Sequence, residues 1–258
     1  MAPQIPPGAA MDRTQELLNP SWSAALEVTD HGYGDLLGDE EPPTRRFIQR
    51  LMRTNLYSGV YQLGRTVIRR FVDSTSPARV DDRARIVSAL RLTPGSTVVD
   101  IGCGPGLFTS LFGAAVGESG LAIGVDASHQ MLRVASTDHA RDNVAYLRGD
   151  AENLPFTDHS VEAAACLAAL YLFNDPFRAL DEMARVLRPR GRLVILTSLA
   201  PGGHRDDLGS KAVEAFSGCR MFGRDEIVDH LRSRGFLDVD QHTGGLAQTV
   251  TATKSAVQ

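Results

Sequence analysis

An apolar strand that carries one carboxylate and runs straight into a glycine-rich turn constrains this chain more than any other feature. Residues 98–106 read VVDIGCGPG. Val98, Val99 and Ile101 are β-branched and apolar, as in a strand covered on both faces. Gly102, Gly104 and Gly106 bring the backbone round without Cβ atoms, and Leu107, Phe108, Leu111 and Phe112 share one face of a helix over 106–116. The alternation extends in both directions. A helix over 81–91 precedes the turn, and strands are predicted at 97–102, 120–126, 144–150, 161–168 and 192–198. Ser128 is a natural cap for the helix after the second strand. Asp175 caps the helix before the fifth strand, Pro176 suits its first position, and Pro189 with Gly191 stops it. A helix near 224–234 and two strands at 236–242 and 246–254 finish the chain. The pattern predicts a doubly wound, Rossmann-like α/β domain: a mostly parallel seven-stranded sheet with an antiparallel C-terminal strand, plus an N-terminal helical extension.

Three ligand-binding turns share this outline, and spacing separates them. The dinucleotide pattern G-x-G-x-x-G, begun at Gly102, needs glycine where Leu107 stands. The P-loop needs G-K-[ST] after its glycines, which this sequence does not supply. The third, the S-adenosylmethionine loop, has an acid inside the strand two residues before the first glycine, and Asp100 fills that place. A carboxylate between Val99 and Ile101 is costly to bury unless a cation or donor meets it, and the cofactor's α-amino group is such a partner. A glycine turn used only for packing is the plain alternative.

Two further acids end the next strands. Asp126, in IGVDAS, sits where a carboxylate can accept from ribose hydroxyls, a role that NAD would use equally well. Taken alone it reads as a helix cap. Asp150, in RGDAENLPF, can accept from an adenine amino group with the Ala151 amide facing the ring, or simply form a turn. Three acids at successive strand ends around one glycine loop are hard to explain as packing.

On these residues the chain resembles the class I S-adenosylmethionine-dependent methyltransferases, in the small-molecule branch with the ubiquinone/menaquinone C-methyltransferases. VVDIGCGPG, GVDAS, GDAENLPFTDHSVEAA and ALDEMARVLRPRGRLVI follow the family's order over about residues 85–254. The resemblance implies that Asp100, Gly102, Gly104 and Gly106, with Cys103 in the same loop, hold the methionine part. It gives Asp126, with Ala127 beside it, the ribose, and Asp150 with Ala151 the adenine. Val161-Glu162 stands where many relatives have Phe-Asp, Tyr171 and Leu172 stand where many have a His pair, and Arg190 replaces a usual glycine.

The chemistry implied is in-line displacement at a sulfonium methyl, aided by alignment and without a metal. Acceptor-side candidates are Tyr171, as wall, donor or base, and His204 in LAPGGHRDD, as base or as a solvated loop residue. Cys166 and Cys219 read as small buried hydrophobes. The acceptor is expected to be a small molecule. Alternatives are a quinone C-methyltransferase and a cofactor-binding protein without transfer activity, such as a scaffold or cyclase.

A net charge of −4 gives no reason to expect a nucleic-acid partner, and a homodimer stays open. Three cysteines without paired spacing fit a reducing compartment, so the expected location is the cytoplasm, with no stable membrane insertion. Residues 1–42, rich in Pro, Gly and acids, predict a flexible arm, residues 43–80 a helical extension or lid that includes Tyr57 and Tyr61, and 81–258 the cofactor-binding domain.

Overall fold

In the computed structural model, which describes residues 8–39, 77–204, 207, 210, 211, 214 and 219–256, the predicted alternation is present with two strands added. Helices α1 (Ala9–Gln15) and α2 (Pro20–Ala25) lead into two-residue strands β1 (Glu27–Val28) and β2 (Gly34–Asp35). Helix α3 (Pro77–Ala89) precedes β3 (Thr97–Ile101), α4 (Leu107–Val116), β4 (Leu121–Asp126), α5 (His129–Asp138) and β5 (Val144–Arg148). After β6 (Val161–Leu167) come α6 (Pro176–Val186), β7 (Leu187–Ser198), α7 (Glu226–Ser233), β8 (Phe236–Gly244) and β9 (Ala247–Lys254). None of the described helices is long and apolar enough to cross a membrane.

The sheet order is β1-β2-β5-β4-β3-β6-β7-β9-β8. Pairings from β2 to β7 are parallel, and β9 lies antiparallel between β7 and β8. The chain winds outward from β3 to β5, then crosses back to place β6 on the other side of β3. Loops leaving the carboxyl ends of β3 and β6 therefore part, and that crevice is where such folds take ligands.

Strand alternation divides the core between two faces. Val99, Ile101, Ile123 and Val125 pack with Ala10 of α1, Met183 of α6 and Leu231 of α7. Val98, Ala122 and Tyr146 pack with Phe112 of α4 and Leu132 of α5. Asp100 shares the parity of Val98, so its side chain enters the face covered by α4.

The caps are as expected: Asp175 accepts from the Arg178 amide at 3.1 Å and Ser128 Oγ from the Met131 amide at 3.4 Å. The end of α6 differs. The helix stops at Val186 instead of running on to Pro189, and β7 begins at Leu187, ahead of the expected start at 192. Lys254 at the end of β9 explains why: its buried ammonium donates to the carbonyls of Ala184 (2.7 Å) and Leu187 (2.9 Å), satisfying the groups a helix end leaves open.

The N-terminal arm is a correction. Residues 8–39 are not a flexible arm but a packed edge of the domain. Leu18 bridges to Phe156, the Asn19 amide donates to Pro155 O at 2.8 Å, and β2 adds to β5. Ala10, Leu18, Tyr33 and Leu36 are buried there, spaced too irregularly to show a helical or strand period. These strands also make the sheet nine-stranded instead of seven-stranded. Residues 43–76 of the expected extension, with Tyr57 and Tyr61, lie outside the described residues; the helix expected from 81 begins at Pro77.

Candidate active site

The glycine loop leaves β3 at the crevice, and its glycines serve different ends. All three have positive φ: 71° at Gly102, 53° at Gly104 and 84° at Gly106. A Cβ at Gly102 would lie 2.3 Å from the Ala169 Cβ, and one at Gly106 would lie 2.6 Å from the Tyr146 hydroxyl. These two let the loop press against β6's exit turn and against β5. At Gly104 a Cβ would meet nothing within 4 Å, so that side of the loop is open to a ligand. Gly106 is followed directly by α4, and the first N–H groups of a helix favour an anion.

Asp100 lies beneath this loop, 2% exposed. Its Oδ2 accepts the Thr109 hydroxyl at 2.7 Å, from the first turn of α4. Burial pushes its pKa from 3.8 up to about 7; the Thr109 hydrogen bond opposes the rise and the Asp126 charge adds to it. A carboxylate this poorly solvated gains most from an incoming cation.

Asp126, at the end of β4, accepts from the Gly104 amide with Oδ2 and from the Ser128 amide with Oδ1, both at 2.9 Å. It ties the glycine loop to the start of α5. Asp150 forms the turn the plain reading anticipated, with Oδ1 accepting from Glu152 N at 2.9 Å, while half-buried Ala151 packs against the core. The three acids lie one residue before the end of β3, at the end of β4 and two residues past β5, adjacent strands that run parallel. Cys103 turns its thiol under the loop against Gly124, so it faces the opening through its backbone alone. Burial raises the pKa values of Cys103 and Cys166.

The acceptor candidates are placed less firmly. Tyr171 is half-buried in the 3-10 turn Leu170–Leu172 after β6, and its carbonyl accepts from Arg220 N at 3.1 Å. His204 is exposed beyond β7, its carbonyl accepting from Ser210 Oγ at 2.8 Å. His159 Nδ1 lies 3.0 Å from the Leu187 carbonyl and 3.1 Å from Lys254 Nζ, one of which it bonds according to its tautomer, and His129 meets Tyr33, so both have structural partners. Glu162 accepts from Thr97 N at 2.7 Å and pairs with Arg188, a local support for β3 and β7.

Sequence reasoning missed Thr109, Tyr146 and Arg148. Thr109 could have been found as a polar residue on the buried side of an otherwise apolar helix face, and Arg148 as a lone charge within a buried strand. Tyr146 supports the loop from below, its hydroxyl donating to Gly106 O (3.3 Å) and His139 O (3.1 Å).

A model of a methyltransferase-domain family matches residues 99–195. Over 127 residues the chain is 37% identical to the ubiquinone/menaquinone biosynthesis C-methyltransferase of Hahella chejuensis, covering 48% of this chain and 50% of that one. The chain spans about half the length of such curated relatives. Among solved structures, the YcgJ protein of Bacillus subtilis superposes with a TM-score of 0.58 at 20% identity, covering 68% of this chain and 98% of that one. A geranyl diphosphate methyltransferase, solved with GPP and sinefungin, gives 0.58 at 18% identity, covering 68% and 79%. In its glycine loop, its sheet order and the matched segment 99–195 the chain is similar to the class I S-adenosylmethionine-dependent methyltransferases.

Proposed function

We propose that the protein transfers the methyl group of S-adenosylmethionine to a small-molecule acceptor. Asp100 carries this reading: a buried carboxylate with its pKa near 7, under a loop whose middle glycine faces open space. The residues present fit the cofactor. Asp100 would hold the α-ammonium, the amides at Gly102–Gly106 the methionine carboxylate end, Asp126 and Ala127 the ribose, and Asp150 with Ala151 the adenine. When bound, the cofactor supplies an electrophilic methyl on a sulfonium. The chain's own part is to fix the methyl donor, align the acceptor and exclude water. Tyr171 lines the acceptor side as a wall and hydroxyl donor; His204, exposed, is the weaker candidate for proton removal. The three cysteines are free thiols, in keeping with the cytoplasm.

A quinone acceptor is the second reading, favoured by the 37% identity to a quinone C-methyltransferase. Tyr171-Leu172 in place of the His pair weighs against it.

Calorimetric titration with S-adenosylmethionine and separately NADH tests the cofactor. The expected outcome is saturable binding of the first alone, weakened about 10- to 150-fold by Asp100→Ala. Radiolabelled methyl transfer to small-molecule extract then separates an enzyme from a scaffold or cyclase. Binding of NADH, or unchanged affinity in Asp100→Ala, would sink the reading.

A further inference from the structure

Arg148 is a guanidinium at the end of a buried strand, 1% exposed, in a region where the cofactor needs only backbone and acids. It is register-paired with Asp126 on one side and with Asp35 on the other, so the three residues lie abreast across β4, β5 and β2. Its Nε donates to Ala127 O at 3.3 Å, in the turn that carries Asp126. Its Nη1 donates to both Asp35 oxygens at 3.2 Å and to Gly38 O at 2.6 Å. Asp35 Oδ1 in turn takes the amides of Leu37 (2.9 Å) and Gly38 (3.1 Å), folding the N-terminal segment over the strand end. A second tie runs alongside: the Tyr33 hydroxyl meets His129 Nδ1 at 2.7 Å, and His129 Nε2 lies 3.8 Å from Asp35. Both ties reach the turn 126–129, whose Asp126 also holds the Gly104 amide of the open loop. The N-terminal segment has another anchor at the opposite end of the strands, where Arg13 donates to Ser119 O and Gly120 O just before β4 begins.

We infer that Arg148 and Asp35 are positioning residues for cofactor binding: together they hold the turn at Asp126–Ser128 from behind, and so couple the N-terminal segment to the ribose end of the site. The inference rests on the cofactor reading above. The physical case is one of geometry and charge. A buried guanidinium that loses its carboxylate must lean on its remaining acceptors, the Gly38 carbonyl and the Ala127 carbonyl beside the ribose acid. A one-residue slip of β2 would turn Asp35 to the opposite face, so the segment has one register in which the tie forms. Coupling of this kind is reciprocal, so bound cofactor must also steady residues 36–38.

The test is titration of the full chain with S-adenosylmethionine for wild type, Asp35→Ala, Asp35→Asn and Arg13→Ala, with thermal melting of each. Asp35→Ala is expected to weaken binding about tenfold, and Asp35→Asn, which keeps an acceptor for the Leu37 and Gly38 amides, to weaken it less. Arg13→Ala loosens the same segment at the amino-terminal end of β4; it should lower the melting temperature yet leave affinity within about twofold. Hydrogen exchange at the Leu36 and Gly38 amides should slow when cofactor is added to wild type and slow less in Asp35→Ala. Equal affinity loss in Arg13→Ala and Asp35→Ala, or unchanged affinity in Asp35→Ala, would overturn the inference while leaving the cofactor assignment standing. Failure of wild type itself to bind would remove both.

Discussion

The two halves of the crevice are built differently. On the side of β3, β4 and β5, each acid is held by nearby atoms: Thr109 for Asp100, the Gly104 and Ser128 amides for Asp126, the Glu152 amide for Asp150. On the side of β6 and β7, Tyr171 is half-buried and His204 is exposed, each on a turn. The contrast matches what each half must do. On the proposed reading, one binds a fixed molecule and can be preorganised in short strand–turn–helix units, while the other admits an acceptor and is assembled from separate loops.

If the cofactor half is preorganised around a nearly neutral Asp100, pH should expose it most strongly. A cationic α-ammonium prefers the ionised carboxylate, so binding must release a proton below about pH 7. Affinity should fall about tenfold per pH unit below that point, about 100-fold by pH 5, measured by titration calorimetry in buffers of different ionisation enthalpy. The sign for folding is opposite. With its folded pKa raised from 3.8, Asp100 contributes most to the stability of the free protein below about pH 4, and that contribution is lost as pH rises toward 7. A flat affinity between pH 5 and 7 would break the comparison at its strongest point.

Thr109→Val comes next. Loss of the hydroxyl leaves the carboxylate poorly satisfied and should weaken cofactor binding about tenfold while moving the binding midpoint to higher pH. On the acceptor half, Tyr171→Phe should lower turnover by a few-fold, no more than about tenfold, with cofactor affinity unchanged. His204→Ala should change turnover by less than about twofold if the exposed imidazole is solvated and idle. A larger loss in His204→Ala than in Tyr171→Phe would reverse their ranking. The smallest effect is far from both halves. Arg190 has φ of 66°, so Arg190→Gly should raise unfolding stability by about 1 kcal/mol without altering turnover.

Much of the cofactor half was legible because its signals are short-range. The acid two residues before Gly102, the Ser128 and Asp175 caps and Pro176 each act on atoms within a few positions along the chain. Cys103 shows the limit of that legibility. Its place in the loop was readable, but the direction of its thiol followed from the packing of Gly124 against it. The reading of residues 1–42 as a flexible arm was wrong over 8–39 because composition counts Pro, Gly and acids without knowing what surface awaits them. The edge of β5 supplied that surface, and a few apolar residues were enough to use it.

The sequence by itself determined the fold class and the place of the glycine loop and the three acids along it, since period-2 and period-3.6 patterns and turn chemistry are written into consecutive residues. Only the tertiary structure decided what meets those acids. Thr109 reaches Asp100 because α4 packs back across β3, and Asp35 reaches Arg148 across 113 positions because β2 closes the edge of the sheet. No local pattern encodes such pairs: each is selected by the burial of a charge that, once inside, must find its partner wherever the chain returns.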